Sequence, residues 1–248
     1  MRDQIELLMN FGLSRQEAKI YYLLLTEGIM SGYEAAKRAG MSRSNVYGAL
    51  AGLTEKGAAC VLEEQSVRYQ PVPIKEFCDN KLRAFADMAR ELEEHIPGFI
   101  PDSQNYITIH GRQNIEDKCR NMLTQAEFRV YFSLSSRLMP LYQEELSGLI
   151  REGKKVVLLT EEDYHLEGCI HYGQRHEDCR FHLITDSRYA LTGEFQDQVH
   201  STGLFSANPN LVKLLKTALA NEIKLIRLKE TGDGSLSPQL TDFPRISP

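Results

Sequence analysis

The segment that begins at Ser42 combines small and hydrogen-bonding side chains in a pattern that could read the bases of a DNA duplex. Ser42 has the residue type that caps the start of a helix. Arg43, Ser44 and Asn45 follow it, and at the N-terminus of a helix in the major groove they would reach the base edges first. Tyr47 lies on the flank, where a phosphate contact and a place in the core are equally plausible.

Three cations near this segment are suited to contacts with DNA phosphates. Lys37 and Arg38 precede it by about one helical turn, and Arg68 follows it in a short predicted hairpin. Residues 1–72 contain eight Lys and Arg against eight Asp and Glu, so this region carries no net basic charge. We therefore expect few phosphate contacts from each copy of the chain, and binding by two copies together.

Helix signals on either side predict the elements that would position these residues. Ser14 and Glu17 have the spacing of a capping box ahead of an apolar helical pattern. Further helices are expected over residues 32–39 and from Ser42 to Lys56. A two-stranded ribbon is expected to follow. This order of elements describes a winged helix-turn-helix, a fold that binds DNA and also serves as a protein-interaction module.

The helix opened by Ser42 has two contrasting faces. Val46, Leu50 and Leu53 have helical spacing and predict a stripe that packs into the core. The opposite face is nearly free of long side chains, so it could approach a groove closely. Its members are Ser44, Asn45, Gly48, Ala51 and Gly52.

A set of residues across this region matches the pattern of a known family. The set comprises Leu13, Ala18, Tyr21, Leu24 and Gly28, the run Ser42-Arg43-Ser44-Asn45-Val46-Tyr47, and Leu50, Leu53 and Gly57. On these residues the chain resembles the TrmB family of prokaryotic transcriptional regulators over residues 5–100, and more loosely beyond. The resemblance implies a winged helix that binds double-stranded DNA, a dimerising helix, and a C-terminal effector domain related to the phospholipase D fold. Founding members respond to sugars, so the implied effector is a sugar or another metabolite.

A long helical pattern over residues 74–96 carries a heptad seam. The seam predicts a dimerisation helix that sets the distance between two reading helices. The alternative is a helix that packs only on its own C-terminal domain. The seam residues are Cys78, Leu82, Phe85, Ala89, Leu92 and Ile96.

From residue 105 onward, strand-like runs alternate with helical ones, which is typical of an α/β layer fold. We expect a mostly parallel, doubly wound sheet, ending in a helix over 209–222 and a strand over 223–228. No glycine-rich phosphate loop follows any of the runs.

The phospholipase D resemblance implies a catalytic motif HxKxxxxD, and the chain departs from it. If Asp186 is the motif's aspartate, then Cys179 and Phe181 occupy the places of the histidine and the lysine. A phenylalanine cannot stabilise phosphoryl charge, so we predict that the chain is not an enzyme. We expect a small-molecule pocket instead, at polar positions beyond strand ends. The candidates are Ser133, Ser135, Ser136, Arg137 and Asp186, of which Asp186 is alternatively a turn residue only.

Six histidines and cysteines fall within 18 residues of one another. His and Cys side chains are ligands for zinc and other transition metals, but these spacings match no standard zinc motif. We therefore predict no metal and no cofactor, and read the cluster as part of a polar connecting segment. Its members are His165, Cys169, His171, His176, Cys179 and His182.

Composition excludes several classes of protein. The chain has 248 residues with 42% hydrophobic and 25% charged residues, and no apolar run approaches the length of a membrane span. Five cysteines without a CxxC pair favour a reducing cytoplasm over a disulfide scaffold.

The sequence predicts four parts along the chain. They are a DNA-binding domain over 1–72, a dimerisation helix over 73–100, an effector domain over 101–230 and a flexible tail over 231–248.

The whole pattern predicts a homodimeric, sequence-specific transcriptional regulator whose C-terminal domain senses a small molecule. The first alternative is a phosphodiesterase or nuclease that the winged helix targets to DNA. The second is an interaction protein without a ligand.

Overall fold

The computed structural model describes residues 2–63, 66–98, 105–174 and 179–230. They form two compact units, one within residues 1–99 and the other within 100–248. The predicted tail over 231–248 lies outside the described residues. No described helix is both long enough and apolar enough to cross a bilayer.

The first unit contains five helices and three short strands among its described residues. In chain order they are α1 (Arg2–Asn10), α2 (Arg15–Glu27), β1 (Met30–Ser31), α3 (Gly32–Ala39), α4 (Arg43–Glu55), β2 (Ala59–Glu63), β3 (Val67–Pro71) and α5 (Ile74–His95). The strands form an antiparallel sheet in the order β1-β3-β2, in which β2 and β3 are the predicted ribbon. The pattern does not predict β1, because two residues are too few to show a period.

Local capping determines where the helices of the first unit begin. Ser14 and Ser31 each accept the backbone N–H three residues ahead. Glu17 and Glu34 accept the backbone N–H of these caps in return, which completes two capping boxes. Ser42 caps α4 in the same way at 3.3 Å, without a reciprocal acid. The predicted capping box at Ser14 is confirmed.

The core of the first unit lies between α2 and α4. Val46, Leu50 and Leu53 are fully buried, which confirms the predicted stripe of α4. Ile20 and Leu24 of α2 are buried with them. Because this stripe faces the core, the side of α4 that carries the small residues is turned outward.

The start of α5 is tied to this core, whereas the rest of the helix is exposed. Phe77 is buried, with its ring centroid 5.4 Å from that of Tyr21. The Tyr21 hydroxyl donates to the carbonyl of Val72 at 2.7 Å, just before α5 begins. From Leu82 to the end of α5 every residue is exposed.

The second unit contains a seven-stranded sheet and three α-helices among its described residues. In chain order they are β4 (Ile107–His110), α6 (Arg112–Thr124), β5 (Arg129–Ser133), α7 (Gln143–Arg151), β6 (Lys155–Thr160), β7 (Ile170–Gly173), β8 (Arg180–Thr185), β9 (Tyr189–Glu194), β10 (Thr202–Ser206) and α8 (Pro209–Glu230). A short 3-10 helix, Met139–Tyr142, precedes α7.

The sheet is mixed, in the order β4-β10-β9-β8-β5-β6-β7. Only β5–β6 and β6–β7 pair in parallel, and the other four neighbouring pairs are antiparallel. The prediction of a mostly parallel sheet is therefore wrong. Short connections without a crossover helix join β8, β9 and β10, and such connections reverse the direction of the chain.

Helices cover both faces of this sheet, as the doubly wound prediction requires. Core residues of α6 and α7 pack on one face, and Val212 and Leu219 of α8 pack on the other. The predicted strand over 223–228 is wrong, because α8 continues through it. Ile223 extends the helical spacing of the buried α8 residues, and this period prevails over the strand-like local composition.

Candidate nucleic-acid interface

The outer side of α4 is open, as the reading-helix prediction requires. Ser44, Asn45, Gly48 and Ala51 are exposed, and a Cβ placed on Gly48 would meet no atom within 4 Å. Gly52 is an exception to the predicted open face. A Cβ there would lie 2.1 Å from Oε1 of Glu17, so Gly52 belongs to the contact between α4 and α2.

Arg43 is held at the start of α4 by an aromatic ring that the sequence pattern does not single out. Its guanidinium lies 4.7 Å from the ring centroid of Tyr33, within the range of a cation–π contact. Tyr33 lies in the first turn of α3 and is itself 53% exposed. In the sequence, the only available signal for this contact is an aromatic residue ten positions before the arginine. The fold brings the two side chains together.

Tyr47 lies outside the hydrophobic core, so the structure does not support the core place that the sequence left open for it. The residue is 46% exposed, so it is accessible from solvent. Its ring also packs against Gly32, where an added Cβ would lie only 2.5 Å from Cε1. The absence of a Cβ at Gly32 therefore leaves room for the Tyr47 ring beside the start of α3.

The three predicted phosphate-contacting cations differ in what they already bind. Arg38 forms an exposed ion pair with Glu27 at the end of α2. Arg68 donates to the carbonyl of Ile29 at 3.1 Å. Lys37 is exposed and forms no ion pair with a described residue. Since an exposed ion pair contributes little, a phosphate could compete with Glu27 for Arg38.

A partly buried ion pair joins α2 to the far end of α4. Lys56 donates from Nζ to Glu17 at 2.6 Å and to the carbonyl of Gly12 at 3.0 Å. Partial burial acts to raise the pKa of Glu17. Hydrogen bonds from Lys56 and Ser14 outweigh this and hold the pKa below its ordinary value. The pair therefore fixes α4 against α2 away from the reading end.

The predicted dimerisation seam forms an exposed apolar stripe on α5. Leu82, Leu92 and Ile96 are each more than half exposed, and Phe85 is 45% exposed. Ala89 between them is exposed as well. Cys78 is half-buried near the core contact of Phe77 and begins the seam.

The predicted effector residues are divided between two edges of the sheet. Ser133 ends β5 and is buried, and Ser135, Ser136 and Arg137 follow it. Asp186 follows β8, which runs antiparallel to β5, so it lies beside the beginning of β5. The prediction that Asp186 shares a site with the serines is therefore wrong.

Asp186 has a structural role instead. Its carboxylate accepts the backbone N–H groups of Glu127, Phe128 and Arg129 at 2.7–2.9 Å. Burial acts to raise the pKa of Asp186, but these three hydrogen bonds lower it below its ordinary value. The carboxylate anchors the segment that leads into β5.

At the carboxyl end of β5 and β6 the structure adds one acid that the pattern did not identify. Glu161 follows β6 and accepts the backbone N–H of Ser136 at 2.5 Å. Gln174, after β7, donates its backbone N–H to the carbonyl of Thr160 at 2.8 Å. Polar groups from three neighbouring strands therefore meet at this edge, which is where ligands bind in open α/β sheets.

The residues in the places of the phospholipase-like motif do not form a phosphate site. Phe181 is fully buried and stacks on Phe195 at a centroid distance of 4.6 Å. Cys179 is exposed and lies just before β8. The position of the motif's lysine is thus part of the hydrophobic core.

The predicted histidine and cysteine cluster is dispersed. His171 lies on β7 and His182 on β8, and two strands separate them in the sheet. His182 is paired through Nδ1 with the Thr192 hydroxyl at 2.7 Å. His165 and Cys169 lie between β6 and β7, and His176 lies outside the described residues. In the described ranges no three His, Cys, Asp or Glu side chains are placed to share a metal ion.

Comparison with known proteins finds two family profiles along the chain. The profile "Sugar-specific transcriptional regulator TrmB" matches residues 7–75. The profile "Transcriptional regulator TrmB, EBD N-terminal subdomain" matches residues 106–215. The first runs from the second half of α1 to the start of α5, and the second covers most of the sheet unit.

Two curated relatives align with about two thirds of the chain. The uncharacterized protein YrhO of Bacillus subtilis is 27% identical over 164 residues, which are 65% of this chain and 60% of that protein. The HTH-type sugar sensing transcriptional regulator TrmBL1 of Pyrococcus furiosus is 21% identical over 163 residues, which are 63% of this chain and 46% of that protein. The aligned part thus spans less than two thirds of either relative.

Solved structures give weaker similarities. TrmBL2, described as an archaeal chromatin protein with a novel mode of DNA binding, has a TM-score of 0.43 and 18% identity, covering 89% of this chain and 96% of that chain. NucT from Helicobacter pylori has a TM-score of 0.38 and 9% identity, covering 48% of this chain and 94% of that chain.

Proposed function

Since the chain belongs to the TrmB family of transcriptional regulators, we propose that it is a homodimeric, sequence-specific DNA-binding regulator that reads the major groove with α4. The observation that carries this proposal is the open side of α4. Ser44, Asn45, Gly48 and Ala51 are exposed there, while the opposite stripe is buried in the core. A helix with one buried side and one side free of bulk can enter a groove without unfolding its own domain.

Base reading rests on the start of α4. The Arg43 guanidinium can form two parallel hydrogen bonds with a guanine edge, and its stacking on Tyr33 reduces the side-chain entropy lost on binding. Ser44 and Asn45 lie beside it, and Lys37, Arg38, Tyr47 and Arg68 contribute phosphate contacts.

In this proposal two copies of the chain dimerise through α5, and the second copy provides the second reading helix of the DNA interface. The apolar stripe of Leu82, Phe85, Leu92 and Ile96 has the spacing of a two-stranded coiled coil. Pairing two such helices would cover the stripe and place two α4 helices in a symmetric arrangement.

The sheet unit is the sensor in this proposal. A sugar or another metabolite would bind at the carboxyl end of β5 and β6, where Ser136 contacts Glu161 and Ser135 and Arg137 flank Ser136 in the sequence. A ligand that binds one dimer geometry better than another would shift the DNA affinity by that difference.

We assign no catalytic activity to the chain. A phosphodiesterase or nuclease of the phospholipase D type needs a cation where Phe181 packs in the core. A regulator of chromosomal DNA acts where the chromosome is, so we place the protein in the cytoplasm.

Selection from a random-sequence duplex library tests the proposed DNA reading. We expect enrichment of a two-fold symmetric site, and a loss of about 1–3 kcal/mol in specific affinity for Arg43→Ala. Lys224→Ala, an exposed cation on α8, is the matched control and should bind like the wild type. Equal affinity for selected and random duplexes, measured across a salt titration, would refute sequence-specific binding.

A further inference from the structure

A groove of about 670 Å³ lies along one side of α2. Arg15 and Lys19 line it near the start of α2 and Glu27 lines it at the end, so it follows the helix for about 18 Å. Ile5 of α1 and Met41, in the turn between α3 and α4, also line it.

The floor of this α2 groove is apolar. Ile5, Tyr22, Leu23, Ala39 and Met41 all belong to the hydrophobic core cluster of the unit or pack against it. Tyr22, Leu23, Ala39 and Met41 are only partly buried, so a partner that covers them gains hydrophobic free energy.

The rim of the α2 groove is cationic. Arg15, Lys19 and Arg38 line it together with a single acid, Glu27. Glu27 is already paired with Arg38. Arg15 and Lys19 are exposed and form no ion pair with any residue in the described ranges. The groove therefore presents two uncompensated positive charges beside an apolar floor.

The cationic end of the groove is far from the reading end of α4. Glu17, two residues after Arg15, contacts Gly52 and Lys56 at the C-terminal end of α4. Gly52 and Lys56 follow Arg43 by nine and thirteen residues, so the reading end of α4 is about 14–20 Å from that contact. Arg15 and Lys19 are thus poorly placed for DNA, whereas Arg38 and Met41 line the other end of the groove, close to the start of α4.

We propose that the α2 groove is a docking site for an amphipathic helix of another protein, with leucine-like side chains on one face and carboxylates beside them. The length of the groove matches about three helical turns, which would present apolar side chains at i, i+3, i+4 and i+7. Carboxylates on the partner would pair with Arg15 and Lys19, giving the charge complementarity that orients such a helix.

A designed helical peptide tests the proposal with the full-length chain in the absence of DNA. The probe is a fluorescein-labelled, side-chain-stapled helix with leucine at i, i+3, i+4 and i+7 and glutamate at the flanking positions. A matched peptide carries lysine in place of each glutamate. Anisotropy reports the affinity, and the methyl resonance of Met41 reports binding inside the groove.

We expect saturable binding of the glutamate peptide and a shift of the Met41 resonance. Arg15→Glu combined with Lys19→Glu should weaken binding about tenfold or more. Lys213→Glu combined with Lys224→Glu makes the same charge change on α8 and should leave binding unchanged. Circular dichroism of each variant establishes that it is folded.

Four results would overturn the proposal. One is an absence of saturation up to about 1 mM peptide, and another is equal binding of the lysine peptide. A third is an equal Met41 shift with octanoate at the same concentration, which would indicate a small-carboxylate site. The fourth is a lower oligomeric state of the Arg15→Glu, Lys19→Glu variant in sedimentation, which would assign the groove to a second copy of this chain. None of these measurements depends on sequence-specific DNA binding.

Discussion

The outer side of α4 and the seam of α5 are both exposed, but their side chains differ in size and polarity. α4 presents Ser44, Asn45 and Gly48, which are small and well solvated. α5 presents Leu82 and Leu92, each 56% exposed, which are large and apolar. Exposure alone therefore does not distinguish a surface that water can satisfy from one that needs a protein partner.

The energetic difference between the two surfaces determines what each can bind. Exposing the leucines of the α5 seam to water costs free energy, which is regained when another apolar surface covers them. The α5 seam therefore favours a permanent partner. The small and polar residues on the outer side of α4 are well hydrated, so exposing them to water has little free-energy cost. This surface therefore favours a partner that binds reversibly. A regulator needs both kinds of surface, one for assembly and one for reversible contact with DNA.

The largest expected effect comes from making the α5 seam polar. Leu82→Glu combined with Leu92→Glu removes two buried leucines from each copy in the proposed dimer. We expect the dimer to weaken by about 4 kcal/mol or more, which is about 1,000-fold. Sedimentation equilibrium measures this change.

The matched control replaces charged residues on the other faces of α5, with Arg83→Glu and Glu93→Lys. This variant should remain dimeric. If the leucine variant also stays dimeric at low concentration, α5 is not the dimer contact and the comparison of the two surfaces fails.

The two glycines of α4 give the next largest expected effect. At Gly52 a Cβ would lie 2.1 Å from Glu17, whose carboxylate is held by Lys56, so we expect Gly52→Ala to destabilise the unit by about 2 kcal/mol. Gly48→Ala meets no neighbour and should raise stability by about 0.5–1 kcal/mol through helix propensity. Urea denaturation measures both. Equal effects at the two positions would mean that α4 has no distinct packed and open sides.

Removal of the Tyr33 ring should have a smaller effect, confined to specific binding. A cation–π contact at an exposed site contributes about 0.5–1 kcal/mol, so Tyr33→Ala should weaken binding to a selected duplex about two- to fivefold. Tyr33→Phe keeps the ring and should bind like the wild type. A drop in affinity of the same size for random duplex would assign Tyr33 to general phosphate contact instead.

The smallest expected effect concerns pH and the ion pair between Glu17 and Lys56. Because the folded-state pKa of Glu17 is lowered, its stabilising contribution is fully present above the unfolded value of 4.5 and is lost as the pH falls through the folded value. We expect a loss of about 1 kcal/mol or less on acidification. Glu17→Gln should reduce the slope of unfolding free energy between about pH 5 and 3, and an unchanged slope would contradict this role.

The helices of the first unit could be predicted because their signals are local. A capping serine and its acid lie three residues apart, as at Ser14 and Glu17, and the buried stripe of α4 repeats within 13 residues. The contact between Arg43 and Tyr33 could not be predicted in this way. It depends on the angle between α3 and α4, which no local pattern specifies.

The sheet unit was predicted less well because strand pairing is decided between distant residues. The strand runs at β5, β6, β8 and β9 are visible in the sequence, but their directions depend on the connections and on neighbours far along the chain. Asp186 illustrates the consequence. Its place in the sequence suggested a pocket, whereas the antiparallel direction of β8 puts it at the other edge.

The anchoring of Phe77 against Tyr21 makes each recognition domain and the first turns of its α5 a single rigid lever. The 22-residue helix is about 33 Å long. A tilt of about 6° about its far end would therefore displace the start of α5, and the domain anchored there, by roughly 3.4 Å, the rise of one base pair. In the proposed dimer, a change too small to alter any fold could thus move the two α4 helices out of register with the two half-sites of the duplex.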